Sequence, residues 1–285
     1  MTPQFPGLPP KITQNKQSLV PEDNEPQSEP NTADGNKELA DTYITKGRVN
    51  HAITRYKKAA RMEDDPVHRT DLGDAYAFAE LPIKAIQQYH KAIKRNSDHP
   101  EPHFSLAEIY VRYGKWHAAA EEYAKAVELC PANAFYRYKL AYAQVQTSCT
   151  LEAIVQLEEA VSLKPKEGFY RFELAALYAD VHRDEDAVEE MEQAVTLSPG
   201  DDYYVSRLGM LYARAGLLDK AAETYREAIT QSPTKLAYWC LLGDVYYWQG
   251  FESRAERHYA EAADIDDYET DFMLRARRFI HGGSW

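Results

Sequence analysis

Apolar and small residues recur along most of this 285-residue chain at helical spacing, in a pattern that restarts every 34 residues. Ala85, Ala119, Ala153, Ala187, Ala221 and Ala255 form one series, and Ala92, Ala126, Ala160, Ala194, Ala228 and Ala262 form a second. Ala52 and Ala59 extend both backward by one 33-residue step. Seven units result, starting near 33, 66, 100, 134, 168, 202 and 236. Each predicts two helices. The first carries leucine, a small residue and an aromatic, as in LGDAY (72–76), LAEIY (106–110), LGMLY (208–212) and LGDVY (242–246), with Gln144 in place of the aromatic in the fourth unit. The second carries Ala, a large residue four later and Ala seven later, as Ala119, Tyr123 and Ala126 do. Spacings of four and seven return to one helix face. The alanines are read as close contacts where a larger side chain would overpack.

Punctuation follows the same interval. Gly47, Gly114, Gly216 and Gly250 fall between paired helices, where a left-handed residue ends the first helix. Glu80, Ser148 and His182 stand there in the other units, where the turn is less strongly specified. Pro82 suits a helix start, and Pro131, Pro165, Pro199 and Pro233 close four units. Residues 1–34 hold 7 of the 15 prolines and few large apolar groups, which predicts a disordered tail. At the other end, TDFMLRARRFIH (270–281) puts Phe272, Met273, Ala276, Phe279 and Ile280 on one face and Arg275, Arg277 and Arg278 opposite. A solenoid must cover its last apolar face, so this segment is read as a capping helix. The rival reading is a basic amphipathic helix for a membrane or a partner.

The period, the Leu-Gly/Ala-x-x-Tyr run, the paired alanines and the closing proline resemble the tetratricopeptide repeat (TPR) family over about residues 33–269. The resemblance implies an all-α solenoid of antiparallel helix pairs wound in a right-handed superhelix. The expected organisation is a tail at 1–34, seven units at 35–269, and a capping helix with a short tail at 270–285. One departure stands out: the family's bulky residue near each unit's start is Trp only at Trp239, with Asn36, Arg69, His103, Arg137, Arg171 and Val205 elsewhere. Tyr136, Tyr170, Tyr204 and Tyr238, one residue earlier, are candidates to fill its place.

Composition narrows the function. The net charge is −12, and residues 134–269 carry 25 acidic against 13 basic groups, which disfavours a nucleic-acid partner. No apolar run reaches membrane-spanning length, and no secretory leader is visible. Three isolated cysteines fit a reducing, cytoplasmic setting. No phosphate loop, HExxH or GxSxG motif occurs. His99 and His103 are four apart within HPEPH, but two prolines should break the helix that would align them. The runs DEDAVEEMEQ (184–193) and RYKKAAR (55–61) read as solvated outer faces. Cys240 has no motif-placed histidine. The expectation is a protein without catalytic residues, cofactor or metal.

In TPR proteins the first helices of successive units line a concave groove that holds the partner. Carried onto this sequence, the early units offer Glu38, Asp41, Asp71, Asp74, Glu101 and Glu108. The middle units offer Phe104, Phe135, Tyr138, Tyr142, Phe169, Phe172 and Tyr203, and the late units Arg207 and Arg214 beside Tyr247 and Trp248. The aromatics either form a binding stripe or pack between neighbouring first helices. The carboxylate clamp of co-chaperone TPR domains is not expected: Lys37 is in place, but Asp41, Asp71 and Glu101 would repel a carboxylate. The leading expectation is a non-enzymatic scaffold that binds another protein or a peptide segment in the concave groove, as in an assembly factor for a larger complex. A self-assembling structural protein and a regulatory subunit of a separate enzyme are the alternatives.

Overall fold

The structure is a computed structural model, and it describes residues 30–263, 265 and 270–283. The described residues hold fifteen α-helices and no strand. The first helices of the repeats are α1 (Ala33–Thr45), α3 (Pro66–Phe78), α5 (Pro100–Arg112), α7 (Ala134–Gln146), α9 (Gly168–Asp180), α11 (Asp202–Arg214) and α13 (Leu236–Trp248). The second helices are α2 (Val49–Met62), α4 (Pro82–Arg95), α6 (Trp116–Leu129), α8 (Thr150–Leu163), α10 (Asp184–Leu197), α12 (Leu218–Gln231) and α14 (Glu252–Ala263). A last helix, α15, spans Thr270–Ile280. Residues 1–29 of the expected tail lie outside the described residues, and α1 already begins inside the expected span, capped by the Thr32 side chain.

The chain divides into two compact units, Met1–Gly114 and Lys115–Trp285, at the turn after α5. In the first, α1 pairs with α2 and α3 with α4, and α3 also touches α1 and α5. In the second, α7 through α14 form four consecutive pairs, each packed on the next through its second helix. All fourteen periodic alanines are 0–2% exposed, as their role in close helix contacts requires.

The small residue after leucine has a specific cause. The rings of Tyr89, Tyr225 and Tyr259, each sixteen residues downstream, press on Gly73, Gly209 and Gly243. A Cβ there would stand 2.4, 2.8 and 2.6 Å from the ring. The fourth and fifth repeats hold Ala141 with Leu157 and Ala175 with Met191, trading volume in the opposite sense. The first and third repeats keep Ala40 with Tyr56 and Ala107 with Tyr123, so the exchange is a tendency rather than a rule.

The tyrosine hydroxyls also follow the repeat. Tyr56 donates to Asp41, Tyr89 to Asp74 at 2.7 Å, and Tyr259 to Asp244 at 2.8 Å, each fifteen residues upstream. In the sixth repeat the acid is replaced by Met210, and the buried Tyr225 hydroxyl has no partner among the described residues. Removing an unsatisfied buried hydroxyl removes a desolvation cost. Tyr225→Phe is therefore expected to hold or raise stability by about 1 kcal/mol, whereas Tyr89→Phe lowers it. Urea denaturation midpoints of the two variants check the opposite signs.

The turns between paired helices correct the expectation for the repeats lacking glycine. Glu80, Ser148 and His182 adopt φ of 58°, 62° and 61°, beside 71°, 67°, 75° and 82° at Gly47, Gly114, Gly216 and Gly250. The following amide closes the turn in the same way in both kinds: Arg48 N donates to Tyr43 O, and Leu81, Cys149 and Arg183 N to Tyr76, Gln144 and Tyr178 O, at 2.8–2.9 Å. The helix packing on either side imposes the turn even where the side chain disfavours it.

Two further expectations change. Pro100 and Pro102 do not break a helix: they occupy the first turn of α5, where a missing N–H costs little. In four units the position near the unit's start works by hydrogen bonding. Asn36 Nδ2, Arg137 Nε, Arg171 Nε and Trp239 Nε1 donate to the carbonyls of Pro30, Pro131, Pro165 and Pro233 at 3.0, 2.8, 3.2 and 2.9 Å. Each tie reaches back six residues, so arginine can replace the family's tryptophan as donor. Tyr170 and Tyr238 are buried beside these ties.

Candidate partner-binding site

In the Met1–Gly114 unit, three of the acids expected on the first helices, Asp41, Asp71 and Asp74, already bond to neighbouring side chains. Lys37 on α1 pairs with Asp71 on α3 at 2.6 Å. Burial raises the Asp71 carboxyl above the usual range, and the lysine beside it only partly offsets this. Asp41 and Asp74 accept the Tyr56 and Tyr89 hydroxyls. Both residues keep exposed surface, but burial raises the Asp74 carboxyl above the usual range against the hydrogen bonds of Tyr89 and Ser105. Phe104 and Glu108 are half-buried on α5.

In the Lys115–Trp285 unit, aromatic rings connect one first helix to the next. Tyr138 on α7 meets Phe169 on α9 edge-on at 4.9 Å and touches Phe135 and Tyr170. Phe172 on α9 stacks on Tyr204 of α11 at 4.8 Å, within 8° of parallel, and meets Tyr203 at 5.7 Å. Tyr142 meets Trp116 edge-on at 5.8 Å. Exposure differs among these aromatics. Tyr138 is 5% exposed and backs the surface, whereas Tyr142 and Tyr203 are 41% and 37% exposed. Phe135, Phe169 and Phe172 are half-buried between them.

Comparison with known proteins settles the architecture. The sequence profile for the tetratricopeptide repeat matches residues 70–134, 172–235 and 206–270, more than half of the chain. The chain belongs to the tetratricopeptide repeat family. No curated relative matches its sequence. Among solved structures it is similar to YrrB, described as a TPR protein with an unusual peptide-binding site, at 23% identity and a TM-score of 0.56, covering 67% of this chain and 97% of that one. It is also similar to a TPR protein from Parabacteroides merdae, at 17% identity and a TM-score of 0.56, covering 87% and 98%. PilF of Pseudomonas aeruginosa aligns at 17% identity and a TM-score of 0.58, covering 72% and 94%. These likenesses show the fold.

In this TPR protein, α15 changes the late part of the expected groove. It packs against α11 and α13, both first helices. Arg207, expected to face a ligand, is instead 2% exposed, lying 5.1 Å from the centre of the Phe279 ring of α15 and 5.8 Å from that of Phe172. Burial lowers its pKa to about 10. Arg214 lies 4.9 Å from the same Phe279 ring and pairs with Asp184 at 2.9 Å. Glu173, next to Phe172, was not singled out by the sequence. Burial lifts its carboxyl to about 7, against the opposing pull of Arg207. Its signal was faint, a single acid in an otherwise aromatic stretch. Asp244 was equally hidden, because only the fold shows that it meets Arg277.

A pocket of about 580 Å³ is lined by Tyr43 of α1 and by Asn50, His51, Thr54, Arg55, Lys57, Lys58 and Arg61 of α2. Its charged residues all lie on the second helix, the basic counterpart to the acidic first-helix residues of the same unit. No helix among the described residues is long and apolar enough to cross a membrane.

Proposed function

We propose that this TPR protein is a non-enzymatic scaffold that binds a segment of another protein on its first-helix surface. TPR folds support protein interaction in general. The observation that carries the more specific reading is the aromatic series across α7, α9 and α11, flanked by exposed Tyr203, which meets Phe172, and by exposed Tyr142, which meets Trp116. Rigid aromatics supported from below give large contact area at low entropic cost and anchor interfaces. The partner segment is apolar where it meets Phe135, Phe169, Phe172, Tyr142 and Tyr203. A basic stretch elsewhere in the partner is drawn by Asp41, Asp71, Asp74 and Glu108, and such rim charge acts mainly on the association rate.

The test starts from a partner recovered by pull-down from the native host and proceeds to binding kinetics. Tyr142→Ala with Tyr203→Ala is expected to raise the dissociation rate at least tenfold. Asp71→Asn with Asp74→Asn is expected to slow association mainly at low salt. If both double variants bind normally while charge reversal at Arg55, Lys57 and Lys58 abolishes binding, the protein works from its second-helix face and the reading fails.

A further inference from the structure

The seating of α15 describes a ligand. Its buried face consists of Ala276, Phe279 and Ile280, at 0%, 1% and 8% exposure, while Leu274 is 55% exposed. Phe272 lies 6.4 Å from Tyr203 of α11 and 6.3 Å from Tyr238 of α13. Arg277 makes a forked contact, its Nε and Nη2 donating to Asp244 Oδ2 and Oδ1 at 2.6 and 2.8 Å. That geometry is the specific, bidentate recognition of a carboxylate by arginine. Asp244 is the same repeat position as Asp41 and Asp74, and like them it accepts a tyrosine hydroxyl, here from Tyr259. In the last repeat the acid has gained an arginine from a separate helix.

The helix itself has eleven residues, too few to persist alone in water. It is helical because it is seated. Its residues 272, 276, 279 and 280 fall on one face, the arrangement by which an amphipathic helix docks in a groove. The surface it occupies continues directly into the aromatic series, since Tyr203 touches both Phe272 and Phe172.

We propose that the face formed by α11 and α13 is a helix-binding site, with α15 as its built-in, displaceable ligand. The segment that displaces α15 is an amphipathic helix of the same chemistry: an aromatic, a small residue four later, an arginine beside it, and an aromatic–aliphatic pair three and four residues after the small one. This rests on the first-helix binding reading above and names the partner's form. It also makes α15 a competitor that lowers partner affinity until it is released.

The probe is a fluorescently labelled peptide of residues 270–283, and its binding to the full-length chain is read by polarisation. A tethered helix competes at an effective concentration on the order of 1 mM. The wild-type chain is therefore expected to bind the probe at least tenfold more weakly than a chain carrying Arg277→Ala and Phe279→Ala. A probe carrying Phe279→Ala should bind neither chain. Hydrogen exchange on the unaltered chain supplies the second measurement: α15 amides should exchange at least about tenfold faster than those of α11 and α13. Equal probe binding by wild type and variant, loss of the variant's cooperative melt, or α15 protection equal to that of α13 would each make α15 a fixed part of the core and overturn the proposal. Failure here leaves the kinetics of the Tyr142 and Tyr203 variants unaffected, so the broader binding reading stands or falls separately.

Discussion

Replacing Tyr225 with alanine is expected to cost about 3–5 kcal/mol. The ring is fully buried and belongs to the continuous core of that unit, with Gly209 directly beneath it. Gly209→Ala approaches the same contact from the other side. Its new Cβ would sit 2.8 Å from the ring, and a ring packed on all sides cannot swing away. That substitution is expected to cost about 1–3 kcal/mol through overpacking. The two losses do not add. With the ring removed, Gly209→Ala meets an empty socket, and the helix preference for alanine over glycine, about 1 kcal/mol, should make it stabilising. A double-mutant cycle by chemical denaturation checks this reversal of sign. If Gly209→Ala is equally destabilising in both backgrounds, the Tyr225 ring is not what holds position 209 to glycine.

Glu173→Gln is expected to stabilise the protein above neutral pH and to change little in acid. Burial on α9 lifts the folded-state carboxyl from its ordinary 4.5 to about 7. Between those values the unfolded chain has released the proton while the folded chain still holds it. Stability therefore falls as pH rises from about 4.5 through 7 and levels off above. The full difference corresponds to about 3 kcal/mol, with Arg207 the facing cation that keeps it from being larger. The glutamine variant lacks this loss, so the gap between variant and wild type should open across that window and reach about 1–3 kcal/mol at pH 8. Denaturation midpoints at pH 4.5 and pH 8 measure it. A gap of the same size at both pH values would mean that Glu173 does not titrate as its burial dictates.

The repeat was legible because the same contact must be made in every unit. Close helix approach admits only a small residue, so selection for that contact writes alanine at fixed intervals, and all fourteen lie in the core. The first helices start where the period places them, and glycine marks four of the seven turns. The other three were weakly written. Glu80, Ser148 and His182 carry no left-handed preference of glycine's kind, and neighbouring helix packing forces the conformation on them. The arginines at the bulky position were legible as a departure but not as a function. Their hydrogen bonds reach a carbonyl across a turn whose geometry no spacing reveals.

The candidate site was legible only in part. Sequence periodicity assigns a residue to a helix and a face, so it determined that the fold is a TPR array and that aromatics gather on the first helices of the middle repeats. It cannot say what lies above that face. Exposure is a property of everything packed nearby, and α15 is one non-repeating helix whose position no period specifies. Tertiary structure alone decided that Tyr138 is buried while Tyr142 and Tyr203 are exposed, that Arg207 lies beneath Phe279, and that Asp244 holds Arg277. Local spacing sets which way a side chain leaves its helix, whereas burial, charge state and access are fixed by contacts between segments far apart in the chain.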